Sequence, residues 1–308
     1  MPVELIKEKY SNPINVVEIG KSGSNSIKIG GETALPFLFQ EGAMPNRPMV
    51  AMEILDCEPV EWAEGVKQAF GESLRTPVGW ALKCVNDFGA KALCVRLQSI
   101  HPDYGNKPAE HSIEVLKAII NQTSVPLIVI GCGDDEQDSR ILPKVSQFLK
   151  GENCLLGIAT QSNYKTLAAT ALADGHSLIA ESPIDINIAK QVNILISDMG
   201  FDAKKIVMHP TTTSLGYGME YVYSIMERAR LAAFIGDKML AMPFIAFVGQ
   251  EVWKTKEAKE LSVVQGINWE LATSVSMLQS GADLLVLRHP DAAKATIKYI
   301  DILMKGAD

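Results

Sequence analysis

Short apolar segments alternate along this chain with longer segments in which apolar residues recur every three or four positions. The short segments lack the apolar–polar alternation of a strand with one face in water, so they are typical of parallel strands covered on both faces. The longer segments have the period of amphipathic helices. The predicted strands are 49–55, 92–97, 126–130, 155–159, 177–180, 206–208, 242–248 and 283–287. The predicted helices are 61–70, 77–88, 109–121, 137–149, 164–173, 184–199, 224–234, 269–279 and 292–304.

This alternation gives about eight βα units, which right-handed crossovers would close into a TIM (β/α)8 barrel. A doubly wound open sheet is the alternative, but it normally has fewer units. Its dinucleotide-binding form also has a glycine-rich turn after the first strand, and no such turn follows Leu55. We therefore predict a single domain, with the barrel over 49–308 and an N-terminal extension over 1–48.

The extension has a pattern of its own. Segments 16–19 and 26–29 are short and apolar, and the residues between them, 21–25, are mostly serine, glycine and asparagine. Such a pair of segments around a turn predicts a β-hairpin, which we expect to cap one mouth of the barrel.

Composition and charge narrow the class of protein. A chain of 308 residues with 47% hydrophobic content can bury a substantial core. The net charge of −7 and the dispersed lysines and arginines argue against nucleic-acid binding, which depends on neutralising phosphates. The first residues carry charges where a signal peptide needs an apolar run, and no apolar stretch approaches the ~20 residues that span a bilayer. We expect a soluble, cytoplasmic protein without nucleic-acid or membrane partners.

The cysteines do not form a metal-binding pattern. They are five in number, none forms a Cys-x-x-Cys pair, and no histidine stands at zinc-finger spacing from any of them. We therefore expect no metal or iron–sulfur cluster ligated by this chain, so any cluster that the function needs would be held by another polypeptide.

Ligand chemistry in this fold collects at the carboxyl ends of the barrel strands. The segments at these ends are rich in hydroxyls, amides and carboxylates, but no lysine closes a strand to form a Schiff base and no Ser–His–Asp order occurs. We predict no catalytic residues. Glu181 and His209 could form an acid/base pair or a structural hydrogen bond. Segment 131–135 could hold an anion, but its Asp134 and Asp135 would repel a phosphate and favour helix capping.

The segment after the sixth predicted strand is longer than the ~2–6 residues of an ordinary strand-to-helix connection. Within it, residues 210–221 include four consecutive hydroxyl residues, two glycines and two tyrosines. One interpretation is a helix N-cap followed by flexible glycines. The other is a binding loop for a large organic ligand with polar edges.

The segment 210–221, Pro-Thr-Thr-Thr-Ser-Leu-Gly-Tyr-Gly-Met-Glu-Tyr, also supports a resemblance. It resembles the motif of the small (delta) subunit of the corrinoid iron–sulfur protein of the acetyl-CoA decarbonylase/synthase (carbon monoxide dehydrogenase/acetyl-CoA synthase) system. Segments 48–54, 131–134 and 181–187 support the resemblance, which covers essentially the whole chain. The remaining pattern is that of a barrel and is shared with pterin-binding methyltransferase barrels.

The resemblance implies a TIM-barrel subunit in a heterodimer with a large corrinoid iron–sulfur subunit, which carries the [4Fe–4S] cluster and the main cobalamin-binding domain. The cobalamin (corrinoid) would lie between that domain and this chain. Its cobalt carries a methyl group from methyltetrahydrofolate, through a separate methyltransferase, to acetyl-CoA synthase in the acetyl-CoA (Wood–Ljungdahl) pathway of carbon fixation. This chain would then be non-catalytic and would shield and orient the cobalamin.

On this basis we predict that five loop residues contact the corrinoid, the last of them at the rim: Thr211, Thr212, Thr213, Gly216 and Tyr217. A second hypothesis is a methyltetrahydrofolate methyltransferase that binds a pterin in the same mouth through Asp56, Asn163 and Glu181. A third, an aldolase-like barrel enzyme, lacks the lysine that it would need.

Overall fold

A computed structural model describes residues 7–21, 23 and 25–307. Its strands are β1 (Val17–Gly20), β2 (Ser26–Ile29), β3 (Met49–Leu55), β4 (Leu93–Arg96), β5 (Leu127–Ile130), β6 (Leu155–Ala159), β7 (Ser177–Glu181), β8 (Ile206–His209), β9 (Phe244–Ala246) and β10 (Ala282–Leu287). Its α-helices are α1 (Glu64–Phe70), α2 (Pro77–Asn86), α3 (Ala109–Gln122), α4 (Asp135–Phe148), α5 (Tyr164–Asp174), α6 (Ile186–Asp198), α7 (Met219–Phe234), α8 (Val248–Val252), α9 (Lys256–Glu260), α10 (Val263–Ser280) and α11 (Pro290–Met304). Short 3-10 segments are Gly71–Arg75, Gln98–Ile100, Pro102–Tyr104, Ala203–Lys205, Lys238–Leu240 and Lys305–Ala307.

Strands β3 to β10 form a closed barrel in which each strand lies parallel to the strands before and after it in sequence. The last strand pairs with the first, with Leu284 opposite Met49 and Leu287 opposite Met52. The predicted TIM (β/α)8 barrel is therefore confirmed, and the open-sheet alternative is wrong. No helix in the described ranges is long and apolar enough to cross a membrane.

The barrel strands are apolar throughout because both of their faces are buried. Successive side chains of a strand point to opposite faces. In β8, Val207 packs inside the barrel, whereas its neighbours Ile206 and Met208 pack in the layer shared with the surrounding helices. The residues inside the barrel include Ala51, Ala92, Cys94, Ile128, Ile130, Leu155, Ile179, Ile245, Leu284 and Val286. The barrel is thus a packed core, as is usual for this fold.

The predicted hairpin is present and closes the N-terminal end of the barrel. β1 and β2 pair antiparallel, and the apolar side chains Val17, Ile19, Ile27 and Ile29 join the core inside the barrel. The Gly20 N–H donates to the carbonyl of Asn153, which lies just before β6, at 2.8 Å. Residues 1–6 and two positions of the predicted turn, Ser22 and Ser24, lie outside the described residues.

The largest departures from the predicted elements surround the last three strands. Helix α7 begins at Met219, earlier than the predicted 224, so the loop after β8 comprises only residues 210–218. The N-cap of α7 is Gly218, which provides no side-chain cap, and the sequence therefore carries no start signal there. Helices α8 and α9 were not predicted, because helices of five residues are too short for a periodic pattern.

A buried ion cluster joins helix α7 to the barrel and to the N-terminal extension. The Arg230 guanidinium is 2% exposed; its Nη2 donates to the Gly281 carbonyl at 2.8 Å and to the Asp283 carboxylate. Its Nη1 lies 3.6 Å from Glu32 Oε2. Burial and the neighbouring Asp283 raise the pKa of Glu32 well above its usual range, against the effect of Arg230. Arg230 is thus the cation that allows two carboxyl groups to be buried together.

We predict that Arg230→Met lowers the free energy of unfolding by about 3–5 kcal/mol, because it leaves the two buried carboxyl groups without a cation. The matched control is Arg228→Met, an exposed arginine in the same helix, which should change stability by less than about 0.5 kcal/mol. Urea unfolding followed by circular dichroism measures both. Equal stability of the two variants would contradict the assigned role.

Candidate functional site

One buried carboxylate joins three neighbouring strands at the C-terminal mouth of the barrel. Glu53 lies within β3 and has no solvent exposure. Its Oε1 accepts a hydrogen bond from Nε of Arg96, the last residue of β4, at 2.8 Å. Its Oε2 accepts from Nε of Arg288, which follows β10, at 2.5 Å. Since β10, β3 and β4 are adjacent, this triad spans the seam where the barrel closes.

The triad is ionised at neutral pH. Burial alone would raise the pKa of Glu53, but Arg288 and Arg96 outweigh it and lower the pKa to about 2. Aromatic rings cover the two cations, with the Arg288 guanidinium 4.4 Å from the Trp62 ring and that of Arg96 5.9 Å from Phe247. Both distances are within the range of cation–π attraction.

A second buried carboxyl group holds the backbone of Arg288 in place. Glu270 of α10 accepts hydrogen bonds from Arg288 N–H at 2.7 Å, from His289 N–H at 3.1 Å and from Trp253 Nε1 at 2.8 Å. Burial raises its pKa to about 7, although these donors act in the opposite direction. Glu270 therefore fixes both Arg288 and the indole of Trp253.

A cavity of about 540 Å³ lies above the triad. Its walls include Trp62 and Trp253, and both arginines of the triad line it. Gln98 and Gln250 contribute amides, and Gln250 accepts a hydrogen bond from Arg96 Nη2. The volume is within the ~300–1,000 Å³ usual for small-molecule sites.

On the side of β7 and β8, the mouth holds a chain of polar contacts. His209 Nε2 lies 3.1 Å from Thr212 Oγ1, which also accepts the Phe247 N–H at 2.9 Å. Glu181 Oε1 lies 3.7 Å from His209 Nδ1. Burial, together with the nearby Asp135, raises the pKa of Glu181 to about 7, while burial and Arg96 lower the pKa of His209 to about 3. Although the distance is that of an ion pair, the imidazole is neutral at pH 7.

The structure divides the five predicted corrinoid contacts into two groups. The three threonines are at least half-buried: Thr211 Oγ1 donates to the Ser182 carbonyl at 2.8 Å, Thr212 bridges His209 and Phe247, and Thr213 Oγ1 is buried without a partner among the described residues. Gly216 is exposed, and a Cβ there would meet nothing within 4 Å. Tyr217 is 50% exposed, and its hydroxyl donates to Glu257 at 2.9 Å. Only Gly216 and Tyr217 project from the mouth.

Two of the three residues considered for a pterin site form hydrogen bonds to other residues of this chain. Asp56 accepts from Ser99 N–H at 2.8 Å, and from the hydroxyls of Ser99 and Ser112 at 2.6 and 3.0 Å. The Asn163 amide donates to Asp135 and to the Ile158 carbonyl, and it accepts from Thr160 N–H. Of the three, Glu181 alone remains available to a ligand.

Segment 131–135 caps helix α4, which is the role that its two aspartates predicted. Asp134 Oδ1 accepts from the Glu136 and Gln137 N–H groups at the start of α4, at 3.0 and 2.9 Å. The N–H groups of Cys132 and Gly133, which could have held an anion, instead donate to the Asp138 carboxylate.

A family model described as "CO dehydrogenase/acetyl-CoA synthase delta subunit" matches residues 16–303. The chain belongs to this family. The "acetyl-CoA decarbonylase/synthase complex subunit delta" of Methanopyrus kandleri is 31% identical over 93% of this chain and 73% of its own length. Subunit delta 1 of Methanosarcina thermophila is 31% identical over 97% of this chain and 72% of its own. The resemblance proposed from the loop motif is thereby confirmed.

Solved structures with a similar fold include dihydropteroate synthase from Thermus thermophilus, with a TM-score of 0.56 and 14% identity. The match covers 88% of this chain and 99% of that chain. At this identity the likeness supports the barrel fold alone.

The sequence predictions for this delta subunit missed the triad. Its signal was a single charged residue, Glu53, inside the apolar strand 49–55. A charge buried in a core strand needs partners, and the arginines at two other strand ends, Arg96 and Arg288, were the available ones. Their pairing depended on which strands are adjacent, which the closed barrel determines.

Exposed apolar side chains also occur in the segments that follow the carboxyl ends of the barrel strands. Val60 is 70% exposed and lies on the cavity wall. Leu261 and Val264, both 60% exposed, flank the start of α10. Tyr217 joins this region to the loop after β8 through its hydrogen bond to Glu257 of α9. We call Val60, Leu261, Val264 and Tyr217 the apolar rim.

No group of three or more histidine, cysteine, aspartate or glutamate side chains in the described ranges could hold a metal ion. The prediction that the chain itself ligates no metal stays a prediction.

The neutral imidazole of His209 predicts a pH dependence of stability. Because its pKa falls from 6.5 to about 3 on folding, the unfolded chain binds a proton that the folded chain does not. The neutral imidazole makes its full contribution to the free energy of unfolding above pH 6.5. That contribution declines by roughly 1.4 kcal/mol per pH unit as the pH falls toward 3. Between pH 7 and 5 the free energy of unfolding should fall by about 2 kcal/mol more in this chain than in a His209→Gln variant.

Urea unfolding of both proteins at pH 7, 6 and 5 measures this difference. Glu181→Gln is the control, because it removes the titrating neighbour of His209 and leaves the imidazole in place. The same decline in stability with and without His209 would show that the imidazole is not held neutral.

Proposed function

We propose that this delta subunit is the non-catalytic partner in a heterodimeric corrinoid iron–sulfur methyl carrier, where it shields and orients cobalamin. The large corrinoid iron–sulfur subunit would hold the [4Fe–4S] cluster and the main cobalamin-binding domain. A methyltetrahydrofolate methyltransferase and acetyl-CoA synthase would be the partners before and after it. The observation that carries the proposal is the loop 210–218, which resembles the family motif and leaves Gly216 and Tyr217 exposed.

The loop has the chemistry that a large ring with amide side chains requires. Thr213 Oγ1 is buried without a partner in the described part of the chain, and it could donate to an amide carbonyl after a small movement of the loop. Gly216 leaves open space for close approach, and Tyr217 offers a ring and a hydroxyl. When bound, cobalamin supplies the cobalt that accepts and releases the methyl group.

Backbone strain in the same loop supports a binding role. Thr211 has a φ of +62°, which a β-branched residue rarely adopts. Its hydroxyl donates to the Ser182 carbonyl at 2.8 Å and thereby anchors the loop to the end of β7. Strain of this kind costs of order 1–3 kcal/mol and is concentrated at functional sites.

The apolar rim supports a partner protein over the mouth. Exposed apolar residues scattered singly are ordinary on a monomer, but these four all lie in segments that follow the carboxyl ends of strands β3, β8 and β9. Covering them would exclude water from the space above the loop, which a reduced cobalt centre requires. A catalytic role in methyl transfer from a pterin has less support, because Asp56 and Asn163 are already hydrogen-bonded within the protein.

The test uses two glycines with similar positive φ angles, a backbone conformation that would strain any other residue. Gly216 has a φ of +78° and Gly200, which follows α6, has a φ of +84°; a Cβ at either meets nothing within 4 Å. Gly216→Val and Gly200→Val should therefore destabilise the chain similarly, but only Gly216→Val places bulk on the proposed corrinoid contact. We predict that Gly216→Val changes the corrinoid absorbance spectrum of the complex or slows cobalt methylation several-fold, whereas Gly200→Val does neither.

Complex formation with the cobalamin-carrying large subunit is measured first, by co-purification of a red, cobalt-containing 1:1 species. Spectra and methylation rates are then compared at equal complex concentration. If both variants match the wild type in spectrum and rate, loop 210–218 does not face the corrinoid. If the wild-type chain forms no complex with the large subunit and instead shows saturable binding of methyltetrahydrofolate, the methyltransferase hypothesis is correct.

A further inference from the structure

The cavity above the Glu53 triad has a chemistry that the proposed corrinoid role does not use. It lies on the side of β3, β4 and β10, and loop 210–218 contributes none of its lining. The lining combines two indoles, two guanidinium groups and two side-chain amides with two glutamates and two lysines nearer the wall. A cavity of about 540 Å³ with these groups is a candidate small-molecule site in its own right.

The two arginines at the cavity floor have unused hydrogen-bond donors. Each gives its Nε to Glu53, and Arg96 gives Nη2 to Gln250. Among the described residues, none accepts a hydrogen bond from Arg96 Nη1 or from either terminal nitrogen of Arg288. Both residues are more than nine-tenths buried, so these donors have little access to bulk water except through the cavity. These nitrogens keep contact with solvent in the cavity, where an oxygen atom of a ligand could replace water as their acceptor.

The charge balance at the floor favours an anion. Two guanidinium groups face the single carboxylate of Glu53, which leaves one positive charge uncompensated within the triad. Glu270 contacts the backbone of Arg288 and not its guanidinium, and its raised pKa of about 7 leaves it only partly ionised at neutral pH. On the cavity wall, the two glutamates Glu58 and Glu61 are matched in number by the two lysines Lys254 and Lys259, so the wall does not cancel the charge of the floor.

The aromatic walls of the cavity determine which ligand body could lie beside the anionic group. Trp62 lies over Arg288, and the Trp253 indole is fixed by Glu270, so both rings are rigid before any ligand enters. Rigid aromatic walls favour a planar, apolar body, and guanidinium edges favour a carboxylate or phosphate at its end.

We propose that this cavity binds a small organic oxyanion, a carboxylate or a phosphate monoester attached to a planar apolar body, with Arg96 and Arg288 as its anion receptors. This inference goes beyond the corrinoid role and does not depend on it. Asp56, which was considered for reading a pterin edge, does not line this cavity and is hydrogen-bonded to Ser99 and Ser112.

The experiment is a titration of this chain, by calorimetry and tryptophan fluorescence, with benzoate, phenyl phosphate and benzamide. Benzamide has the shape of benzoate without the charge. We expect saturable binding of benzoate or phenyl phosphate in the high-micromolar to millimolar range, at least tenfold tighter than that of benzamide. The preferred oxyanion distinguishes a carboxylate receptor from a phosphate receptor.

The decisive variant is Gln250→Glu. It keeps the shape of the side chain that accepts from Arg96, and it places a second carboxylate on the arginine pair. Oxyanion binding should weaken at least tenfold, because the positive charge at the floor is then compensated. Gln147→Glu makes the same change of charge on the exposed face of α4 and should leave binding at the wild-type value. Should Gln250→Glu fail to fold, Gln98→Glu places a carboxylate in the same cavity.

Three results would overturn the proposal. One is benzoate and phenyl phosphate binding no tighter than benzamide. Another is oxyanion affinity in a folded cavity variant equal to that of Gln147→Glu. The third is saturable binding of methyltetrahydrofolate without binding of either simple oxyanion, which would mean that the cavity recognises a pterin ring.

Discussion

One buried carboxylate joins three strands at the seam where this barrel closes. Glu53 stands where the first and last strands meet, and its two oxygens are each used by a different arginine from a neighbouring strand. Removing the carboxylate would leave two guanidinium groups without their anion in a site that solvent hardly reaches, a far larger penalty than the pair's net contribution to folding. The positions of both arginines and the floor of the cavity therefore depend on this residue.

The same mouth is divided between two kinds of chemistry. Beside β3, β4 and β10 it is rigid, aromatic and cationic, with each side chain held by a second one behind it. Beside β7 and β8 it is neutral, because burial suppresses the charge of His209 and weakens that of Glu181. A barrel with eight independent loops permits such a division, since each loop can change without disturbing the shared core.

Much of the fold could be predicted from the sequence, because buried parallel strands are short apolar runs and the period of the helices between them differs clearly. Strand 49–55 matched to the residue, whereas the start of α7 was missed because Gly218 gives no capping signal. The site was harder to predict from the sequence than the fold. The loop motif was visible as a run of hydroxyls and glycines, but the Glu53 triad joins residues far apart in sequence. Such a contact follows from strand adjacency, which no local pattern contains.

The hairpin of β1 and β2 blocks one end of the barrel to small molecules. Its four apolar side chains fill the lower end of the barrel, and the interior above them is packed. The upper opening is then the route by which a small molecule could reach the arginine floor. A protein seated on the apolar rim would cover the same opening. Loading of the cavity and docking of such a protein would therefore follow a compulsory order, with the small molecule entering first and leaving last.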